Sequence, residues 1–406
     1  MVHVPVTCLL VANTFPPLIG GSSAVYASLC GHARGQIAVL TSFLDYRTGT
    51  PHPGWHEHDR AAEYPIYRIP LVRPPLASGL RRRRFRSFAS ELKIHSDLMR
   101  AVTRLVRSQS VSAVCLADDE TVGWLAAYAR HVLGRRTLIY CHGDDLAGTS
   151  AAISLRRYWM QRASALIAAS RFARERLVGA WGIPADRVVL VPNGADSSVY
   201  REQAALPSLL ARYRLENAKV ILTPSRLVAR KGVDRTIEAM PAVLGRFPDA
   251  VYLVVGEGPQ RQELETLAGR LGVSHAVRFA GAVAMGEMPS HYALADVVAL
   301  PNRAQAGEED GVSMVILEAN ACGKPVIGGL AGGTPEAIVN GDNGLLVDGG
   351  DPTAIARAIQ LVLGGPALRE RLRAGALVAA RGADWQSRTD LFLAVCRGEA
   401  AGTMFN

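Results

Sequence analysis

Two cations stand five residues apart where an apolar stretch ends. Val220 to Thr223 reads as a strand, and it runs into Pro224-Ser225-Arg226-Leu227-Val228-Ala229-Arg230-Lys231-Gly232. A guanidinium offers a planar fork for phosphate oxygens and an ammonium a compact point charge. Arg226 and Lys231 together therefore suit neutralisation of a leaving diphosphate. The chain has 41 arginines and only four lysines, so a lysine at this place is not default usage. Two solvated loop cations are the plain alternative.

Two acids form the next pair. Asp310 and Glu318 flank Gly311-Val312-Ser313-Met314, where the pattern predicts a helix starting near Val312. First-turn amides beside Asp310 would point outward at sugar hydroxyls or phosphate, and Glu318 would accept hydrogen bonds from a ribose diol. A capping Asp and an ordinary surface Glu would give the same spacing. Glycine turns recur at strand ends: Gly256-Glu257-Gly258-Pro259 after Val251 to Val255, Gly328 to Glu336, and Asn13 to Ser23 with Gly20-Gly21. Glycine there permits a tight turn and close ligand approach, and it serves strand–helix packing equally well. His142, just past Thr137 to Cys141, is either a functional group at a strand's carboxyl end or a cap of the next turn. Asp118-Asp119 and Asp144-Asp145 do not make an Asp-x-Asp site, so neither a metal ion nor another cofactor is expected.

These loops need strands behind them. Val6 to Ala12, Gln36 to Thr41, Ala113 to Leu116, Thr137 to Cys141, Ala165 to Ala168 and Val188 to Val191 are strand candidates in the first half. Val220 to Thr223, Ala250 to Val255, Val277 to Phe279, Val297 to Leu300 and Pro325 to Gly328 repeat the scheme. Short apolar strands alternating with amphipathic helical segments predict parallel sheets of the α/β class, two doubly wound sheets in tandem, with ligands beyond the strands' carboxyl ends. At 406 residues the chain is too long for one ordinary core. The expected division is 1–205, 206–383 and a C-terminal helix within 384–406 that either returns to the first domain or closes the second.

Charge separates the halves. Residues 1–205 hold 25 Lys+Arg against 15 Asp+Glu, a net of +10, while the remainder holds 20 against 21, a net of −1. An anionic partner for the first half follows, and its sharpest cluster is Arg81, Arg82, Arg83, Arg84 and Arg86. Near an anionic bilayer each such side chain contributes about 1 kcal/mol, so membrane contact is expected here, against a merely solvated helix face. No apolar run has the length of a membrane span, and Met1 to Leu10 has no basic segment before its apolar stretch. The expected location is the cytoplasm, at the inner face of the cell membrane. Six scattered cysteines without CxxC or zinc spacing read as reduced, buried thiols.

Taken in order, Phe15-Pro16-Pro17 to Gly20-Gly21, Tyr140-Cys141-His142-Gly143, Ser170-Arg171, Val191 to Asp196, Ser225 to Gly232, Val255 to Pro259, Phe279-Ala280-Gly281, Ala295-Asp296-Val297, Asp310 to Ala319 and Gly332 to Glu336 resemble the retaining glycosyltransferases of family 4. The likeness is to the phosphatidylinositol mannosyltransferase type, and it implies the GT-B fold: two Rossmann-like domains facing a cleft. It assigns Arg226 and Lys231 to the donor diphosphate and Glu318 to the ribose. Asp310 and the amides of Gly311, Val312, Ser313 and Met314 go to the transferred sugar, and His142 to the reacting sugar from the other side. Gly20 and Gly21 approach the diphosphate, and Gly256 and Val283 complete the donor-binding set. Asp310 stands where the family usually has Glu, which retracts the carboxylate by one methylene, and Ser313 stands where Gly is common.

The implied reaction transfers a hexose, with mannose from GDP-mannose foremost, to a lipid-linked or glycan acceptor in envelope or polysaccharide synthesis. UDP-sugar donors and a sugar-nucleotide 2-epimerase are the alternatives. A nucleic-acid-binding role is disfavoured, because only Phe85 and Phe88 lie among the clustered arginines.

Overall fold

The computed structural model describes residues 5–18, 20–74, 84–117, 122–143, 146 and 150–399, with backbone alone for 84–89 and 150–153. Arg81 to Arg83 and the two Asp-Asp pairs therefore lie outside the described residues. Arg84 and Arg86 start the helix Arg84–Ser108 without a described side chain.

The chain divides into two units, Met1–Pro192 with Trp385–Asn406, and Asn193–Asp384. The first carries β1 (Cys8–Val11), β2 (Ile37–Ser42), β3 (Ile66–Ile69), β4 (Ala113–Leu116), β5 (Arg136–Cys141), β6 (Ala165–Ala168) and β7 (Val188–Leu190). They form one sheet in the order β3-β2-β1-β4-β5-β6-β7 with every pair parallel. The second unit carries β8 (Lys219–Pro224), β9 (Ala250–Val255), β10 (Val277–Gly281), β11 (Val297–Leu300), β12 (Val326–Gly329) and β13 (Gly344–Val347), ordered β10-β9-β8-β11-β12-β13 and again wholly parallel.

Helices cover both faces of each sheet, so the central strands are apolar at every position rather than alternately. Cys8-Leu9-Leu10-Val11 and Ala250 to Val255 are buried throughout. The six thiols are all buried and none is in a disulfide among the described residues, and Cys8, Cys115 and Cys141 sit in strands as small apolar residues. The helix Trp385–Arg397 packs on the first unit, where the Arg136 guanidinium donates to the Val395 carbonyl at 2.9 Å. Among the described residues no helix is long and apolar enough to cross a membrane.

In doubly wound sheets the connections run outward in opposite directions from one point, which opens a crevice at the strands' carboxyl ends. That point lies between β1 and β4 in the first sheet and between β8 and β11 in the second. The loops after β1, β4 and β5 and those after β8 and β11 are thereby the places for chemistry.

Candidate functional site

In the second unit the loop after β8 turns through a short 3-10 segment, Ala229–Lys231, into the helix Val233–Arg246. Between them Gly232 adopts φ 73°, and a side chain there would run into the Pro301 carbonyl. The loop after β11 is fastened to that turn. Arg303 donates its amide to the Arg230 carbonyl at 2.9 Å and forks onto Asp234 at 2.9 and 2.8 Å. Asn302, buried, receives the Gly329 amide and the Thr334 hydroxyl and donates to the Ala331 carbonyl. The glycine-rich stretch after β12 closes on the same loop: Gly333 donates to the Asp310 carbonyl at 2.9 Å, and Gly332 lies against that carbonyl where no side chain fits.

This bracing delivers Asp310 into a buried ion cluster. Its Oδ1 accepts from Arg230 Nε at 2.8 Å, and Lys231 Nζ stands 3.0 Å from Oδ2. Arg230 also reaches Glu308 at 3.1 Å. Burial alone would raise the Asp310 pKa. The Lys231 charge and the Arg230 hydrogen bond and charge outweigh it and hold the carboxylate below its usual range. Both oxygens of this shortened acid thus face protein cations. Lys231 is held within the cluster, whereas the Arg226 guanidinium is exposed and has no side-chain partner among the described residues.

The helix expected near Val312 begins at Met314 and runs to Ala321, with Ser313 as its N-cap and no hydroxyl bond to an amide. Gly311 to Ser313 form the approach to it, and Asn193 braces them by donating to the Val312 carbonyl at 3.4 Å. Glu318, one turn in, is buried. Tyr292, on the helix Met288–Leu294, donates its hydroxyl to Glu318 Oε2 at 2.7 Å, and the Tyr200 hydroxyl lies close to the same carboxylate. Burial pushes the Glu318 pKa up, against the lowering effect of these two hydroxyls.

The glycines divide by purpose. Gly256, at φ 131°, lies where a side chain would strike the Ser225 carbonyl, so close packing of the loops after β8 and β9 requires it. Gly20 and Gly21 are exposed at the start of the helix Gly21–His32, with open space where a side chain would project. The fold does not need glycine there. Val283 is buried just beyond β10.

In the first unit His142 follows β5 and its Nε2 lies 2.7 Å from the Tyr26 hydroxyl, which also lies 3.1 Å from the Ala117 carbonyl. The Tyr26 contact orients the imidazole, and either group can be the donor across it. Rings of Tyr26 and Tyr140 flank the imidazole at 5.3 and 4.9 Å.

Arg226, Lys231, Asp310, Gly311 to Met314 and Glu318 thus lie on loops and helix starts after β8 and β11 of one unit, and Gly20, Gly21 and His142 at strand ends of the other. Arg230, Tyr200 and Tyr292 join the site without a signal of their own in the sequence: Arg230 is marked only by its neighbour Lys231, and the tyrosines by nothing local.

A family model described as Glycosyl transferases group 1 matches residues 211–377, and one described as Glycosyltransferase Family 4 matches residues 20–199. The chain is 32% identical over 394 residues to the GDP-mannose-dependent alpha-(1-6)-phosphatidylinositol monomannoside mannosyltransferase of Mycolicibacterium smegmatis, covering 94% of this chain and 95% of that protein. It is 28% identical over 375 residues to the GDP-mannose-dependent monoacylated alpha-(1-6)-phosphatidylinositol monomannoside mannosyltransferase of Corynebacterium glutamicum, covering 90% and 91%. Among solved structures, Anabaena Alr3699/HepE in complex with UDP-glucose superposes with a TM-score of 0.78 at 21% identity, covering 97% of this chain and all of that one, a likeness of fold.

Proposed function

From the premise that the chain belongs to the group 1 and family 4 glycosyltransferases, we propose that it transfers mannose from GDP-mannose, with retention, to a phosphatidylinositol mannoside or a similar lipid-linked acceptor. The observation that carries this reading is near-full-length identity of 32% to a protein named for that donor and acceptor. The cations after β8 and the buried acid after β11 support it.

In this reading Arg226 and Lys231 bind the diphosphate, and their charge stabilises the negative charge that gathers as it leaves. The bond between the sugar's anomeric carbon and the diphosphate oxygen breaks through an oxocarbenium-like state. The acceptor oxygen bonds to that carbon on the same face, and its proton passes to the departing phosphate oxygen. Glu318 takes the ribose hydroxyls, and the amides of Gly311 to Met314 take the sugar. Asp310 acts through Lys231, whose ammonium it positions. His142 and the Gly20-Gly21 loop are assigned to the reacting sugar and the diphosphate, and Tyr26 orients the ring of His142. The donor's charge is met by protein cations, so turnover should persist in a chelator. Arg81 to Arg84 and Arg86 are assigned to contact with anionic lipid.

The test is incubation of the purified chain with radiolabelled GDP-mannose and phosphatidylinositol monomannoside, with and without EDTA. The expected product is an α-linked dimannoside in both. Transfer from UDP-glucose and none from GDP-mannose would overturn the donor assignment, and donor conversion without acceptor would point to an epimerase.

A further inference from the structure

The two acids of the stretch after β11 are used in opposite ways. Asp310 has a cation at each oxygen. Glu318 is buried on the helix Met314–Ala321, and among the described residues no cation pairs with it; its partners are hydroxyls. An ionised carboxylate out of water without a counter-charge is costly, and a fold needing only to fill this place would do better with an apolar or amide side chain. An acid held here by neutral donors is kept for a ligand.

Counting acceptor sites narrows which ligand group it takes. A carboxylate accepts at about four lone-pair positions. The Tyr292 hydroxyl occupies one at 2.7 Å and the neighbouring Tyr200 hydroxyl is placed to take a second, which leaves two, the number that a vicinal diol fills. The tyrosines are themselves fixed. Tyr292 is wholly buried, and its ring meets that of Tyr200 edge to face at 5.9 Å and 75°. Each hydroxyl therefore reaches Glu318 from an immobilised ring, and ordering it costs little further entropy.

We propose that Tyr292 and Tyr200 are positioning residues for the donor's ribose: their hydroxyls hold the Glu318 carboxylate so that its two remaining acceptor sites meet the 2′- and 3′-hydroxyls. This rests on the reading of Glu318 as the ribose ligand. The consequence is specific to the diol. Removing a tyrosine hydroxyl frees the carboxylate to turn, which weakens any nucleotide carrying both hydroxyls and leaves one lacking them unaffected.

The experiment is calorimetric titration of the full chain with GDP or UDP, whichever binds more tightly, and with its 2′,3′-dideoxy analogue. It is run on wild type, Tyr292→Phe, Tyr200→Phe and Glu318→Gln, each checked by its melting temperature. Wild type should prefer the ribonucleotide by tenfold or more, a hydrogen bond to a charged group being worth about 1.5–3 kcal/mol. Each Phe variant should lose about tenfold for the ribonucleotide and nothing for the dideoxy form, with KM for donor raised and kcat little changed. Should Tyr292→Phe melt below the assay temperature, Tyr200→Phe carries the same measurement. Equal weakening of both nucleotides would reduce the tyrosines to a structural role and overturn the proposal. A wild type indifferent to the diol would instead sink the Glu318 assignment, and with it the premise.

Discussion

Replacement of Asp310 by Asn tests whether this acid is spent on the protein's own cations. Its Oδ1 lies 2.8 Å from Arg230 Nε and its Oδ2 3.0 Å from Lys231 Nζ, with side-chain exposures of 8% for the acid and 10% and 16% for the cations. An amide in its place leaves two largely buried cations side by side with no central anion. Breaking a buried ion pair by removing one partner costs about 3–5 kcal/mol. Glu308, 57% exposed and 3.1 Å from Arg230, offsets some of this, so the lower end, about 3 kcal/mol, is expected. For a unit the size of Asn193–Asp384 each kcal/mol moves the midpoint by about 2–4 °C, which gives a fall of roughly 6–12 °C by calorimetry. The nucleotide supplies the discriminating arm. A diphosphate brings back the missing negative charge, so saturating GDP should raise the midpoint of Asp310→Asn more than that of wild type. Melting within about 2 °C of wild type, or an equal nucleotide-induced shift in both proteins, would refute the cluster as described.

Lys231→Ala should reduce turnover on the order of 10² to 10³, the loss seen on removing a donor that stabilises developing negative charge, and steady-state kinetics with saturating donor measures it. Arg226→Ala should weaken donor binding with an unchanged melting temperature, because its guanidinium is exposed and unpaired among the described residues; a destabilised variant would contradict that placement. Gly21→Ala should leave the melting temperature unchanged or raised and still lower activity, whereas Gly256→Ala should destabilise outright, because its methyl group meets the Ser225 carbonyl. Stability against pH should have two components of opposite sign. The lowered Asp310 pKa contributes stability that is present above its unfolded value near 4 and is lost as pH falls through the folded value, and Asp310→Asn should abolish that acid limb. The raised Glu318 pKa means that the folded state holds its proton more tightly, so stability declines as pH rises through the folded value. Glu318→Gln should therefore gain on wild type with rising pH in urea titrations.

What the residues disclosed before the structure, and what they did not, follows from how each feature is made. Strands buried on both faces announce themselves as apolar runs, and Ala113–Leu116, Ala165–Ala168, Ala250–Val255 and Val297–Leu300 lie where the pattern puts them. The two strands passed over, Ile66–Ile69 and Gly344–Val347, are both sheet edges. The first is half-buried throughout and the second only partly covered, so neither needs a continuous apolar run. The helix over Asp310 to Glu318 begins two residues later than expected, because the preceding backbone is already engaged: Gly333 donates to Asp310 O and Asn193 to Val312 O.

The candidate site is harder to read for the same kind of reason. Charge at positions 226 and 231 shows in the chain itself, but its use depends on partners far along it. Arg230 meets Asp310 across 80 residues and Tyr292 meets Glu318 across 26, and no spacing rule links either pair. Glycine illustrates the ambiguity most directly. Gly20-Gly21 and Gly256 look alike as turn residues after strands, yet one pair borders open space and the other residue is wedged against a carbonyl. A missing side chain is evidence for a ligand only where the protein leaves the volume unfilled, and that is a property of the packed chain. By that criterion the Gly20-Gly21 turn is the stronger ligand-facing candidate. Gly256 and Gly332 belong instead to the scaffold that sets Ser225 and Asp310 in place.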